Sequence, residues 1–346
     1  MGKLLRFAAP RSVEIVDDVM TPLGPDQVRI DTLFSGISAG TELTVYRGSN
    51  PYLSKSWDAA RRLFVPAGTA LEYPIDGFGY EEVGRVVELG GEVSSVNVGD
   101  VVWGAWGHRG SVTFDEGYAA MRKLPADVDP IIGIFSEIGA IALNVILDGD
   151  IHVGETVAVF GLGVPGQIVA QLARLNGARV VGVDRIPARL EMAAQLGADE
   201  VVDGGTTDAG ERIRELTDGR GADVTLEVSG SYRALHEAVR ATAYSGRVVA
   251  AGFFQGEGAG LALGEEFHHN RIQVVCSQIS GVAPALTYRW DKNRLLQTAM
   301  QLAASGRLQL EPLITEVVPL DEAGAAFASL DASPDRALQV VLEFSQ

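Results

Sequence analysis

The stretch Glu155–Asp184, which reads ETVAVFGLGVPGQIVAQLARLNGARVVGVD, decides the fold. An apolar run is followed by a glycine-rich turn, an amphipathic segment and a second apolar run that ends in Asp184. Short apolar strands that alternate with helices are typical of a parallel sheet covered on both faces. The pattern predicts a strand over Glu155–Phe160, a helix over Pro165–Asn176 and a strand over Arg179–Val183.

The glycine-rich turn predicts a dinucleotide site. The pattern G-x-G-x-x-G, whose glycines let a pyrophosphate approach a helix N-terminus, is matched by Gly161, Leu162, Gly163, Val164, Pro165 and Gly166. The pattern alone is weak in a glycine-rich chain, but here it has its full strand–turn–helix–strand–acid context. Asp184 would bind the adenosine ribose and repel a 2′-phosphate, which favours NAD. Arg185 could pair with that phosphate, so NADP remains possible.

Later strand ends in the same half of the chain are candidate walls of the nicotinamide pocket. Ser229 follows one predicted strand, and Gly252 and Phe253 follow the next. Ligands bind at the carboxyl ends of the strands in such sheets. The alternative is that these residues form simple strand-end turns.

Length and composition exclude several classes of protein. The chain has 346 residues, or about two domains at roughly 150 residues each. It carries 45 acidic against 28 basic residues, a formal charge of −17, which disfavours nucleic acid and anionic lipid as partners. One cysteine, Cys276, excludes a disulfide framework and a four-cysteine zinc site. We find no apolar run of about 20 residues and no signal peptide. We therefore expect a cytoplasmic protein.

The first part of the chain reads as short strands between turns. Within it we expect Trp57–Val65 to form a short helix. His108 stands in the glycine-rich loop Gly104–Gly110, where we expect a surface position, and the alternative is that the loop reaches the cleft. Near the end of the alternating region, the apolar strand Ile272–Cys276 is a candidate sheet edge, with Cys276 as a buried, inert thiol.

Motifs along nearly the whole chain resemble those of the medium-chain dehydrogenase/reductase superfamily, the fold of zinc alcohol dehydrogenases. Ser35–Glu42 (SGISAGTE) resembles the family's S-G-I-C-G-T-D, Gly79–Glu81 (GYE) its G-H-E, and Val98–Val102 (VGDVV) its V-G-D-x-V. The resemblance implies an α/β protein with three segments. They are a β-rich GroES-like catalytic domain over 1–133, a Rossmann NAD-binding domain over 134–284, and a return to the catalytic domain over 285–346.

The chain departs from the family at the catalytic metal. The family's zinc is held by a cysteine and a histidine, where this chain has Ser38 (or Ala39) and Tyr80. Glu137 matches the glutamate that polyol-type members use as a third ligand, but alone it would hold zinc weakly. We therefore expect no zinc. The motifs particularly resemble the metal-free branch that includes bacteriochlorophyllide dehydrogenase-like proteins.

Without a metal, hydrogen-bond donors and a proton acceptor must act on the alcohol oxygen. Tyr80 is the first candidate, because its phenol can donate a hydrogen bond and can lose a proton if its pKa of about 10 is lowered. Glu137 is the candidate general base or the partner that orients Tyr80. Thr41 occupies the family's proton-relay position, and Ser38 is expected to line the pocket. The alternative is that Tyr80 and Ser38 merely fill the space that zinc has left.

Candidate substrate contacts lie outside these motifs. Trp57 and Arg61 belong to a segment between Gly48 and Gly77 that is longer than a connection needs, and Tyr288 begins the C-terminal portion. The basic residues suggest a polar or anionic small molecule. An ordinary solvated surface is the alternative.

The sequence thus predicts an NAD(P)-dependent dehydrogenase that interconverts a secondary alcohol and a ketone by hydride transfer. One alternative is an enzyme that retains NAD and passes through a transient ketone, as in an epimerase, lyase or cyclase. Another is a nucleotide-binding protein without catalysis. The family resemblance implies a homodimer or homotetramer.

Overall fold

The structure is a computed structural model that describes residues 2–66 and 71–344. It divides into two compact units, Met1–Glu137 with Ile314–Gln346 (the first unit) and Ile138–Leu313 (the second unit). The sequence prediction instead placed the C-terminal return at residue 285. Residues up to Leu313 belong to the second unit because Gln171 exchanges two hydrogen bonds, of 3.1 and 2.8 Å, with the backbone of Gln309.

Seventeen strands are present among the described residues: β1 (Gly2–Ala9), β2 (Ser12–Asp18), β3 (Gln27–Gly36), β4 (Lys55–Asp58), β5 (Leu63–Pro66), β6 (Ile75–Asp76), β7 (Glu82–Leu89), β8 (Val101–Gly104), β9 (Ser111–Asp115), β10 (Thr156–Phe160), β11 (Arg179–Asp184), β12 (Glu200–Asp203), β13 (Ala222–Glu227), β14 (Thr242–Ala250), β15 (Gln273–Cys276), β16 (Ile314–Pro319) and β17 (Gln339–Glu343).

The same residues form nine α-helices: α1 (Glu42–Arg47), α2 (Glu116–Ala120), α3 (Ser136–Gly149), α4 (Val164–Leu175), α5 (Pro187–Gln195), α6 (Ala209–Glu215), α7 (Tyr232–Ala241), α8 (Lys292–Ala304) and α9 (Ala323–Ala332).

The second unit is built on one parallel sheet with the strand order β12-β11-β10-β13-β14-β15. All five residues of β10 are buried, as expected for a strand covered on both faces. The order reverses direction between β10 and β13, which is where doubly wound sheets bind dinucleotides. The predicted α/β fold with a Rossmann sheet is confirmed.

The first unit is rich in β-strands. One sheet has the order β16-β17-β3-β7-β8, with β9 also paired to β3, and a smaller sheet has the order β2-β1-β6. An aromatic group occupies the core: the Phe327 ring of α9 lies 5.2 Å from Phe7 and 5.7 Å from Tyr46. This packing holds α9, which follows the return of the chain at Ile314, onto the N-terminal strands.

The helix predicted over Trp57–Val65 is wrong, because β4 and β5 form an antiparallel hairpin there. The Asp58 side chain accepts hydrogen bonds from the backbone N–H groups of the turn, and Arg62 adopts a left-handed φ of 54°. Across the strands the rings of Trp57 and Phe64 pack edge to face at 5.2 Å. Cross-strand aromatic pairs of this kind stabilise hairpins, and this one outweighs the helical pattern.

Cys276 is exposed rather than buried. It ends β15, the last strand in the sheet order of the second unit. An edge strand has neighbours on one side only, so an apolar sequence does not guarantee burial there. The predicted edge position of this strand is confirmed, and the predicted burial of its thiol is wrong.

The sequence analysis found no apolar run of this length, but one helical stretch among the described residues, Pro130–Gly149, is long and apolar enough to cross a membrane by length and composition alone. Within the protein, 72% of its most apolar window is buried. Core helices of globular proteins pass the same test, so the stretch is weak support for a membrane span.

We expect Phe327→Ala to lower the free energy of unfolding by about 3–5 kcal/mol, because it removes a fully buried aromatic ring and leaves a cavity. Chemical denaturation monitored by fluorescence measures the change. Val153→Ala, at a site 85% exposed, is the control and should change little. Equal losses in the two variants would contradict the proposed core.

Candidate active site

The glycine-rich turn between β10 and α4 has the geometry of a phosphate cradle. Gly161 has a left-handed φ of 91°, and a Cβ there would lie 2.6 Å from the Cβ of Ser229. A Cβ on Gly166 would lie 1.8 Å from the carbonyl oxygen of Gly161. Pro165 lies in the first turn of α4, where its missing N–H costs no hydrogen bond. The turn therefore leaves the helix N-terminus open to a ligand backbone or phosphate.

Asp184 ends β11 beside this turn. One carboxylate oxygen accepts from the N–H of Leu162 at 2.7 Å, and the other accepts from the N–H groups of Arg185 and Ile186 at 2.7 and 3.0 Å. The guanidinium of Arg189 lies 4.0 Å away. Asp184 is thus tied to the glycine-rich turn, at the position where a ribose-binding carboxylate is needed. Arg189 is a cation that the sequence reasoning missed.

A buried glutamate lies where β13 and β14 end. The carboxylate of Glu227, the last residue of β13, accepts from the Ser229 hydroxyl, from the N–H of Ser229 at 2.9 Å and from the N–H of Gly230 at 3.1 Å. Its backbone carbonyl accepts from the N–H of Gly252, which follows β14, at 3.0 Å. Burial raises the pKa of Glu227 to about 7, although the hydrogen bonds to its carboxylate oppose the shift. A Cβ on Gly252 would lie 2.0 Å from the nitrogen of Gly230. The two backbones approach so closely here that a side chain has no room at Gly252. Phe253, the next residue, is 43% exposed.

In the first unit, hydroxyl side chains converge at the junction of β3, α1 and β7. The Tyr80 hydroxyl forms a hydrogen bond with the Ser38 hydroxyl and lies 3.4 Å from that of Thr41. The turn after β3 is closed by the carbonyl of Ser38, which accepts from the N–H groups of Thr41 and Glu42. We call Ser38, Thr41 and Tyr80 the hydroxyl group. Three of the predicted catalytic residues therefore lie together.

Tyr80 does not have the lowered pKa that a general base would need. Burial, with a further contribution from Glu81, holds its pKa above the usual value. The protonated phenol is favoured, so Tyr80 is suited to donate a hydrogen bond rather than to remove a proton.

Glu137, the fourth predicted catalytic residue, lies in the first turn of α3 and is buried. Its charge helps to raise the pKa of Tyr118, for which burial is the larger cause. Its role as a proton acceptor remains a prediction.

Behind the hydroxyl group lies a chain of buried polar residues that the sequence analysis missed. It consists of Glu42, His108, Ser35 and Glu82, which we call the buried chain. Their relative exposures are all 0%. His108 Nε2 lies 2.6 Å from a carboxylate oxygen of Glu42, and His108 Nδ1 lies 2.6 Å from Ser35 Oγ. The prediction of a surface His108 is therefore wrong, because its glycine-rich loop folds the ring inward against Phe327.

The sequence contains all four residues of the buried chain, but no local pattern shows that they lie together. Glu42 and Glu82 read as ordinary polar residues at element starts, and only the pairing of Ser35 with Glu82 across β3 and β7 brings them together. Burial raises the pKa of Glu82 to about 7, with His108 opposing the shift. The neighbouring Glu81 is also buried and has one carboxylate oxygen without a hydrogen-bond partner. Burial, reinforced by the nearby Glu42 and Glu82 charges, raises its pKa well above the usual value.

The predicted substrate residues lie at exposed positions. Trp57 is 45% exposed in the β4–β5 hairpin, and the Arg61 side chain is 70% exposed and pairs with Asp58 at 3.2 Å. Tyr288, in the second unit, is 79% exposed, with the guanidinium of Arg289 at 5.5 Å from its ring. Their role in substrate binding remains a prediction.

The donor set at the hydroxyl group does not fit zinc. Structural and catalytic zinc sites use thiolate, imidazole and carboxylate ligands. Here the two positions offer a serine hydroxyl and a phenol whose pKa is raised. Among the described residues, the set of three potential ligand side chains that lie within 4.8 Å of one another is His236, Glu265 and Glu266, in the second unit.

The fold, the nucleotide-binding turns of the second unit and the hydroxyl group of the first unit define an α/β enzyme class. In this class one unit binds a dinucleotide, and a separate unit carries polar side chains for a small substrate.

The comparisons with known proteins agree. The model of the family described as zinc-binding dehydrogenase matches residues 165–292. D-guloside 3-dehydrogenase of Escherichia coli K12 is 30% identical over 349 residues, covering 99% of this chain and 100% of that protein. (R,R)-butanediol dehydrogenase of Bacillus subtilis is 27% identical over 329 residues, covering 86% and 87%.

Solved structures show the same fold. Butanediol dehydrogenase from Bacillus subtilis superposes with a TM-score of 0.79 at 24% identity, covering 99% of both chains. A Sinorhizobium meliloti protein solved with NADP bound gives 0.79 at 23% identity, again covering 99% of both. The chain belongs to the medium-chain, zinc-binding dehydrogenase family of alcohol dehydrogenase-like proteins. It is an NAD(P)-dependent dehydrogenase that acts on an alcohol.

We expect Gly166→Ala to weaken NADH binding by at least about tenfold, because the added Cβ collides with the Gly161 carbonyl and distorts the turn. Fluorescence titration with NADH measures the dissociation constant, and circular dichroism checks the fold. Gly264→Ala is the matched control, because a Cβ there meets nothing within 4 Å. Unchanged NADH affinity in Gly166→Ala would show that the coenzyme does not use this turn.

Proposed function

We propose that this dehydrogenase oxidises a secondary hydroxyl of a sugar, glycoside or other polyol to a ketone, with NAD as the oxidant and without zinc. The observation that carries the proposal is the hydroxyl group. The Tyr80 phenol, hydrogen-bonded to Ser38 and near Thr41, stands where the family resemblance places the metal ligands.

The turn at Gly161–Gly166 and Asp184 would hold the coenzyme, which would supply the oxidant for a hydride from the carbinol carbon, and the chain's own residues act on the substrate oxygen. Tyr80 remains protonated, consistent with its raised pKa, and donates a hydrogen bond to the substrate oxygen as negative charge develops there. Ser38 fixes the direction of the phenol. Thr41 lies within relay distance, and Glu137 is the proposed proton acceptor.

The substrate class is supported by the relatives and by the chemistry of the site. The relatives named above are a glycoside dehydrogenase and a diol dehydrogenase. Hydroxyl side chains suit a substrate that offers several hydroxyls, each of which both donates and accepts. Trp57, Arg61 and Tyr288 are proposed as outer contacts.

We propose NAD rather than NADP because the Asp184 carboxylate would repel a 2′-phosphate. Arg185 and Arg189 lie beside it and reduce that preference. We further propose a cytoplasmic homodimer or homotetramer, for which the exposed edge strand β15 offers a pairing surface.

We expect Tyr80→Phe to lower kcat/KM for the alcohol by about 10²–10⁴-fold, because the donor to the developing oxyanion is lost. Steady-state kinetics on a panel of methyl glycosides and polyols with NAD measures this, and NADH affinity should not change.

Tyr244→Phe is the matched control, since that phenol is 66% exposed in the second unit. Elemental analysis of the active wild-type enzyme should find no stoichiometric zinc. The zinc-free proposal is wrong if the sample holds one zinc per chain and a chelator removes both the zinc and the activity.

We expect Asp184→Asn to reduce the preference for NAD over NADP by about tenfold, because it removes the charge that repels the 2′-phosphate while keeping one acceptor for the neighbouring N–H groups. The ratio of kcat/KM values for the two coenzymes measures the preference. Asp203→Asn, at the end of the next strand, is the control. A ratio unchanged in Asp184→Asn would remove Asp184 from coenzyme selection.

A further inference from the structure

The buried chain connects directly to the backbone beneath the hydroxyl group. One carboxylate oxygen of Glu42 accepts from the N–H of Ser38 at 2.9 Å, and the other lies 2.6 Å from His108 Nε2. Ser38 is the residue whose hydroxyl contacts Tyr80. The position of Ser38 therefore depends on Glu42, and that of Glu42 depends on His108.

At its far end the buried chain reaches a second carboxylate. Ser35 Oγ lies 2.6 Å from His108 Nδ1 and 3.2 Å from a carboxylate oxygen of Glu82. The other oxygen of Glu82 accepts from the N–H of Trp106 at 2.6 Å. Since all four side chains of the buried chain are shielded from bulk solvent, each missing hydrogen bond is costly.

The links between these side chains fix the number of protons. If Ser35 donates to Glu82, then His108 Nδ1 must donate to Ser35, and the remaining proton lies between His108 Nε2 and Glu42. If Glu82 is protonated and donates to Ser35, then Ser35 donates to Nδ1, and Nε2 donates to Glu42. Both arrangements use three protons and satisfy all three links, so a proton can shift along the chain without loss of a bond.

We propose that His108 is a positioning residue for the alcohol-binding site: through Glu42 it holds Ser38 against Tyr80, and it does so only while the buried chain keeps its three protons. This inference rests on the proposed role of Tyr80. His108 itself touches neither substrate nor coenzyme in this mechanism.

The proposal implies a loss of activity on the alkaline side. If the buried chain loses one of its three protons, one of the three links joins two acceptors, and the side chains must rearrange. Burial lowers the pKa of His108, but the charge and hydrogen bond of Glu42 outweigh burial, so the net pKa lies above its usual value. Glu42 on α1 and Glu82 on β7 face the ring, and Glu81 lies beside both carboxylates. The chain therefore keeps its protons below the raised pKa values and loses one as the pH rises through them.

The test is the pH dependence of kcat and KM for the alcohol in His108→Asn and Ser35→Ala. His108→Asn should lower kcat at least tenfold, raise KM for the alcohol and leave NADH affinity unchanged. Ser35→Ala keeps the bond between His108 and Glu42, so its kcat should fall less than that of His108→Asn. The alkaline limb of its kcat–pH profile should still shift by about one pH unit or more. Proton NMR of the resting wild-type protein should show a downfield, exchange-protected imidazole proton that His108→Asn removes.

Thr225→Val is the matched control, because it removes a buried, hydrogen-bonded hydroxyl in the second unit. If His108→Asn fails to fold, Ser35→Ala carries the test. The proposal is overturned if both pH profiles match that of the control, or if the variants lose only stability. Tyr80→Phe in the same assay separates the proposed function from the positioning role of His108. A Tyr80→Phe enzyme with full activity contradicts the proposed function. If Tyr80→Phe is impaired but the His108 and Ser35 variants are normal, only this inference is contradicted.

Discussion

The burial of carboxylates is the constraint on which both functional regions depend. A buried charge is unfavourable unless it is paired and hydrogen-bonded. The first unit buries Glu42, Glu81 and Glu82 within one neighbourhood, and these three glutamates are 0–1% exposed. The antiparallel pairing of Ser35 with Glu82 sets the register in which Ser35 contacts both His108 and the Glu82 carboxylate. A shift of one residue in that pairing would turn Glu82 to the opposite face of the sheet.

The second unit solves the same problem largely with the backbone. Asp184 and Glu227 end β11 and β13, the two strands on either side of β10 in the parallel sheet. Both accept from N–H groups of the turns that follow the strands, and Glu227 accepts from the Ser229 hydroxyl as well. These bonds hold the glycine-rich turn and the Gly230 turn in place before any coenzyme arrives. Such preorganisation reduces the ordering that binding would otherwise require.

The sequence was sufficient for features that depend on local pattern. The strand, glycine-rich turn and helix around Gly161–Gly166 follow from periodicity and glycine spacing, and the structure has them within one or two residues. The hairpin at Trp57 was missed because its aromatic cross-strand pair is a tertiary feature, invisible to helix patterns. The exposure of Cys276 depends on the position of β15 in the strand order, which no local pattern reports.

The candidate catalytic residues were predictable only where a family motif marks them. Ser38, Thr41 and Tyr80 stand in such motifs, and the structure brings them together. His108 stands in no motif that the sequence analysis used, and its partners come from three different elements. Its burial follows from the fold of a glycine-rich loop, so sequence spacing could not place it beside Glu42.

The buried carboxylates of the two units differ in what they connect to. Asp184 accepts from three backbone N–H groups, which cannot give up their protons, so these bonds specify its position. Glu227 accepts from backbone N–H groups and from the hydroxyl of Ser229. In the first unit an imidazole connects two carboxylates, because His108 lies against Glu42 directly and against Glu82 through Ser35. Both ring nitrogens of an imidazole can donate or accept, so a proton can shift between these two carboxylates. This division matches the needs of alcohol oxidation, in which the coenzyme requires a fixed seat and the substrate oxygen requires a surrounding network that tolerates a moving proton.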